Sequence, residues 1–238
     1  MTLHRKEALI VGMLFLLAIV TGVASLSLIG IADDPEYLIA AAERSGGLLF
    51  GALLVLIMAF ACAGISIWLY PVLRRHNRSL ALGAVGFRII EAVFHLVTVL
   101  SLLLLVTLSR RYLEAGVPEA PYFEILGALL QSTNDWAGGV VGTFAWLTGA
   151  FMYYLVFYRS KLIPRWLSLW GILGVIPSAA ATLLSLFGVL DMMSGPQVAM
   201  VIPLAAQEAV LGVWLIMKGF DPEAVLPEGE HAGATEAA

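Results

Sequence analysis

Charge is the scarcest thing in this chain. Only 13% of its 238 residues are Asp, Glu, Lys or Arg, against about 25% in an ordinary soluble domain. With 61% apolar residues and a mean hydropathy of +0.94, this excludes a water-soluble globular domain and marks an integral membrane protein. Cysteine is nearly missing too. The single Cys62 lies inside an apolar run, which rules out an internal disulfide or a multi-cysteine metal centre and leaves it as a packing residue. Basic residues number 13 against 17 acidic ones, for a net charge of -4, and the few Lys and Arg sit in short loops, so nucleic acid is not an expected partner. No His-x-x-x-His, Gly-x-Ser-x-Gly, Cys-x-x-Cys or glycine-rich phosphate loop occurs. No metal or cofactor is therefore expected.

Long apolar runs are what the chain does have. Six of them, near 8–31, 47–71, 80–108, 136–158, 167–190 and 198–218, can each span a ~30 Å hydrocarbon core at about 1.5 Å per residue. The first exceeds the 7–15 residues of a signal-peptide core and lacks a small-x-small cleavage site, so it reads as a span. The expected fold is an all-α bundle of six transmembrane helices over residues 1–220, with 221–238 as a disordered cytoplasmic tail. Residues 121–133 show Ile125, Leu126, Leu129 and Leu130 at helical spacing. They predict an amphipathic helix along the outer surface, bending into span four near Asn134–Asp135.

Nine basic residues (Arg5, Lys6, Arg74, Arg75, Arg78, Arg159, Lys161, Arg165, Lys218) fall at one end of the spans and three (Arg44, Arg110, Arg111) at the other. The positive-inside rule then puts both termini in the cytoplasm. The expected localisation is a cell membrane, with lipids as the surrounding partners.

Inside the third span, Arg88, Glu91, His95 and Thr98 fall within an arc of roughly 80° at 100° per residue, one polar stripe on an apolar helix. Ionisable groups at that depth are costly and need partners. Glu208, with Gln207 beside it, lies about 15 Å in along span six, level with Arg88 and Glu91 at roughly 12–17 Å along span three. The expected ligand-binding site is therefore Arg88, Glu91, His95, Gln207 and Glu208, in which Gln207 supplies amide hydrogen bonds and the surplus negative charge is balanced by a proton on one carboxyl, by a cation or by a protonated His95. Thr98, Asn134 and Asp135 are secondary members toward the outer rim. His95 alone is better explained by a bond to a neighbouring carbonyl or threonine than by ligation. The glycines of spans four and five read as close-packing positions. A sharper reading has Gly138-Gly139, Pro177 and Pro203 interrupting their spans and baring backbone groups.

Arg5-Lys6 before Ile10-Val11-Gly12, Ser79 through Ala92, Ile163-Pro-Arg-Trp-Leu-Ser-Leu-Trp-Gly171, and Ile202-Pro-Leu through Phe220 together resemble the bacterial membrane-protein family known as domain of unknown function 4386. The resemblance runs from Arg5 to Phe220 and implies a polytopic inner-membrane protein without an assigned activity. Arg88, Glu91, Gln207 and Glu208 stand on its motif positions; His95 and Asp135 do not transfer. The leading functional expectation is binding or transport of a small anionic or amphipathic solute at the Arg/Glu cluster. A membrane-embedded enzyme acting on a lipid or isoprenoid through paired carboxylates is the alternative, and a structural or accessory role is the third.

Overall fold

A computed structural model describes residues 3–30, 36–115 and 120–225. These residues form nine α-helices: α1 (Leu3–Ile29), α2 (Tyr37–Glu43), α3 (Ser45–Leu73), α4 (Arg78–Ala115), α5 (Ala120–Asn134), α6 (Thr143–Ser160), α7 (Arg165–Leu186), α8 (Gly195–Met217) and α9 (Pro222–Val225). A π-helical stretch, Asp135–Gly142, joins α5 to α6. Six runs are long and apolar enough to cross a membrane. The chain is an all-α, multi-pass membrane protein.

Successive spans pack side by side: α1 on α3, α3 on α4, α4 on α6, α6 on α7 and α7 on α8. The ring closes where α8 returns to α1. At that seam two glycines let the backbones meet: a Cβ on Gly12 would stand 2.6 Å from the Gly212 carbonyl. Arg5 fastens the seam at its end, donating to the carbonyls of Leu215 (3.1 Å), Ile216 (2.6 Å) and Met217 (3.2 Å). Those are carbonyls that the last turn of a helix leaves without helical partners. The chain then turns at Gly219, whose φ of +79° is a left-handed conformation open to glycine.

The main core sits toward the basic end, where Phe15, Ile65, Leu69, Tyr153, Tyr154, Phe157, Leu162, Leu211 and Leu215 are buried against one another. Smaller clusters toward the other end join α3 to α4, and α2 to α3 and α4.

Three expectations need correction. The polar connection after α1 contains a helix, α2, whose Leu38 and Ala41 are buried in the outer cluster. The third span continues to Ala115 instead of ending near residue 108. The segment 121–133 is helical as predicted, but no break separates it from span four: α5, the π stretch and α6 follow one another directly and pack along α4. Tyr112 meets Phe123 edge to face, Ser101 donates to the Leu130 carbonyl, and Tyr37 donates to the Glu124 carbonyl at 2.8 Å. A length argument misled here because both partners are long, and each gives the other a surface beyond the apolar zone. Burial and the nearby Glu124 carboxylate push the Tyr37 phenol up, so it stays a donor.

The sharper of the two readings, with Pro177 and Pro203 interrupting their spans, is not met, since α7 and α8 run through their prolines. Among the described spans, only Asp135–Gly142 departs from α geometry. Of the predicted tail, residues 222–225 form α9 and residues 226–238 lie outside the described residues.

Candidate functional site

The site grows from the stripe on α4. Three residues make one turn short of closure, so Arg88 and Glu91 stand one above the other. Arg88 Nη1 lies 3.0 Å from Glu91 Oε2, and His95 Nε2 lies 3.8 Å from Glu91 Oε1 on the other side. Arg88 and Glu91 are almost wholly buried, at 1% and 3% exposed. Arg88 also reaches α3, where its Nε donates to the Cys62 carbonyl at 3.4 Å. The Arg88–Glu91 contact is close as a charge pair but badly angled as a hydrogen bond. Arg88 Nη1, Glu91 Oε2 and, further along the stripe, Thr98 Oγ1 are each buried without a hydrogen-bond partner. Buried polar atoms are rarely left so.

Facing the stripe is the fourth span, made smooth by glycine. A Cβ on Gly149 would come within 3.1 Å of Arg88 Cγ, one on Gly142 within 3.6 Å of Phe94 Cβ, and one on Gly138 within 2.9 Å of Thr98 Oγ1. Gly138 and Gly142 belong to the π stretch, where Thr143 bonds back to the Gly138 carbonyl at 3.2 Å. A π turn changes the rotation per residue, so it re-aims the helix surface, and such turns recur at functional sites.

Glu208 comes to the same place from α8. Its Oε1 accepts from Trp146 Nε1 at 2.9 Å and from the Tyr153 hydroxyl at 2.7 Å. Trp146, Gly149 and Tyr153 are spaced i, i+3, i+7, one face of α6. That face carries Glu208 on its aromatic donors and Arg88 over its glycine. Gln207 is fixed beside it: Tyr154 donates to its Oε1, and its Nε2 donates to the Leu167 carbonyl of α7 at 3.0 Å. The Tyr154 ring lies so close to Gly171 that a Cβ there would meet it at 2.6 Å.

The arrangement differs from the single network expected from depth alone. Arg88 pairs with Glu91 on its own helix, and no Arg88–Glu208 ion pair within 4.0 Å forms among the described residues. The two groups converge on one α6 face, Arg88 over Gly149 and Glu208 on Trp146 and Tyr153. Gln207 bonds to α6 and α7 rather than to the ionised groups. His95 joins through Glu91, and Thr98 lies further along the stripe. Asp135 stands apart: it is exposed, and its Oδ1 accepts from Asn134 Nδ2 at 3.3 Å.

The donors missed from sequence are Trp146, Tyr153 and Tyr154. Their signal was available, since an indole and a phenol two helical turns apart, deep in a span, are too far inside for an interfacial aromatic belt.

Fold and site together define a multi-pass helical membrane protein with a buried polar centre shared by spans three, four and six. The family signature described as "Domain of unknown function (DUF4386)" matches residues 10–219, and the chain belongs to that family. No curated protein and no solved structure matches it.

Proposed function

We propose that this protein binds a small anionic solute at the Arg88–Glu91–Glu208 centre and carries it together with a proton. One observation bears most of the weight: two buried carboxylates share the region with one guanidinium, whose Nη1 is ion-paired to Glu91 at 3.0 Å but makes no well-angled hydrogen bond. Two acids against one base leave a negative charge in excess, which a low-dielectric interior balances with a proton or a cation. An anion at Arg88 adds to that excess, so its arrival favours proton uptake by Glu91 or Glu208. Arg88 is the anion-binding group, because its planar fork offers several donors at once. The glycine-lined face of span four lets the stripe pack directly against it, so Arg88 and Thr98 are held close to α6 and the π stretch. The nine-to-three distribution of basic residues supports an orientation with the basic end in the cytoplasm.

The test uses purified protein in proteoliposomes loaded with a pH-sensitive dye, with lactate, succinate or inorganic phosphate supplied outside in turn. Wild-type vesicles acidify in response to at least one of these anions, and Arg88→Ala and Glu208→Gln each cut the rate at least about tenfold. The reading fails if both variants behave as wild type or if wild-type vesicles respond to none of the three.

A structural reading has its own support in the Gln207–Glu208 pair, whose four hydrogen bonds tie α8 to α6 and α7. Under that reading Glu208→Gln shifts thermal unfolding while no anion-driven acidification exists to be lost.

A further inference from the structure

A second region, at the basic end and away from the polar centre, also has the shape of a ligand site. Where the α6–α7 turn meets the end of α8, a pocket of about 510 Å³ opens between Lys161, Arg165 and Lys218, with Trp214 as a wall. Lys161 caps the end of α6 with a left-handed backbone (φ +60°), where the chain turns toward α7. Arg165 is steadied over the Tyr158 ring at 5.6 Å and opens α7, whose positive dipole end faces the same space. Asp221 supplies the one carboxylate in the wall, and its Oδ1 already accepts from the Glu223 N–H at 3.0 Å. Its own N–H donates to the Leu162 carbonyl at 2.9 Å, which pins the loop to the α6–α7 turn.

Trp214 and Lys218 also belong to a second depression, about 450 Å³, that runs up the outer face of α8 along Ala209, Val210, Val213 and Met217. Those residues follow helical spacing over about 12 Å. Apart from Lys218 the lining has no charge. A cationic cup at the end of an apolar groove, on the lipid-facing side of a span, matches a molecule with a phosphate at one end and a hydrocarbon chain at the other. We infer that this composite surface is a binding site for an anionic glycerophospholipid, with its phosphate among Lys161, Arg165 and Lys218 and one acyl chain along α8. Zwitterionic lipids bring a cation into the same cup and fit worse. Aromatic Trp214 sits at the junction, at the depth where a ring with an apolar body and a polar N–H is best placed.

Native mass spectrometry of the detergent-purified full chain, titrated with phosphatidylglycerol or phosphatidylcholine of identical chains, decides the matter. Phosphatidylglycerol binds one site at least about tenfold more tightly, as expected for three cations near one phosphate. The triple variant Lys161→Gln, Arg165→Gln, Lys218→Gln brings the two lipids to parity. The double variant Arg74→Gln, Arg78→Gln, which removes two charges from the same end outside the pocket, keeps the preference. Equal binding of the two lipids by wild type, or a preference that survives the triple variant, overturns the inference. So does loss of the preference in the double variant, since that reports general surface charge.

Discussion

At the scale of single residues, the centre is an exercise in making expensive groups fit. A glycine under Arg88 and another under Tyr154 are the means, since each lets a polar side chain lie flat against a neighbouring helix. The second is the easier to test. At Gly171 a methyl would meet the Tyr154 ring at 2.6 Å, and that ring is fixed by its bond to Gln207. Gly171→Ala therefore costs about 1–3 kcal/mol, measured as a lower unfolding temperature in detergent. Gly86→Ala, on α4 with nothing within 4 Å, is neutral or slightly stabilising because alanine restricts the unfolded backbone. Much of this chemistry could be read from residue types alone. Arg88, Glu91 and Glu208 stood out because charge inside a span is rare, and equal depth predicted that they would share a level. Which atoms would touch did not follow, because depth says nothing about rotation. Trp146 and Tyr153, not Arg88, reach Glu208 first.

At the scale of elements, the π stretch decides how span four meets span three. Below it Gly149 faces Arg88; above it Leu130 faces Ser101 and Phe123 faces Tyr112. Deleting Val141 lets the segment return to α geometry and turns everything before it by about 100°, moving Phe123 and Leu130 off α4. A cysteine pair, Tyr112→Cys with Phe123→Cys, cross-links in the full-length chain and loses most of that cross-linking in the deletion variant. The apolar runs that become spans were plain from hydropathy, since length and composition are enough to define them. The π stretch and α2 were not. Asp135-Trp-Ala-Gly-Gly-Val-Val-Gly142 has the composition of ordinary close-packed helix, and the wider hydrogen-bonding register is chosen by the neighbour it must match. Helix α2, seven residues long, is too short to hold together on its own. It forms because α4 covers Leu38 and Ala41.

At the scale of the whole molecule, the ring of spans closes where α1 and α8 share an apolar core, with Arg5 fastening its end and Gly12 and Gly212 letting the backbones meet. Arg5→Ala leaves three carbonyls at the end of α8 without their charged donor and loosens the α1–α8 seam. The expected loss is about 1–3 kcal/mol, seen as earlier unfolding and faster proteolysis after Lys218, with Arg5→Lys recovering part of it. The donor and its acceptors are 210 to 212 residues apart, and that separation sets an order of events in biogenesis. Helix α1 is made before α8 and waits, with Arg5 and the Gly12 face not yet covered by it, until α8 is made. Chains stopped short of Gly212 have no seam to close, so an insertion intermediate with five spans presents an open flank to chaperones and quality-control proteases. Arg5, placed early in the chain, therefore takes up its bonds only once the end of α8 has been made.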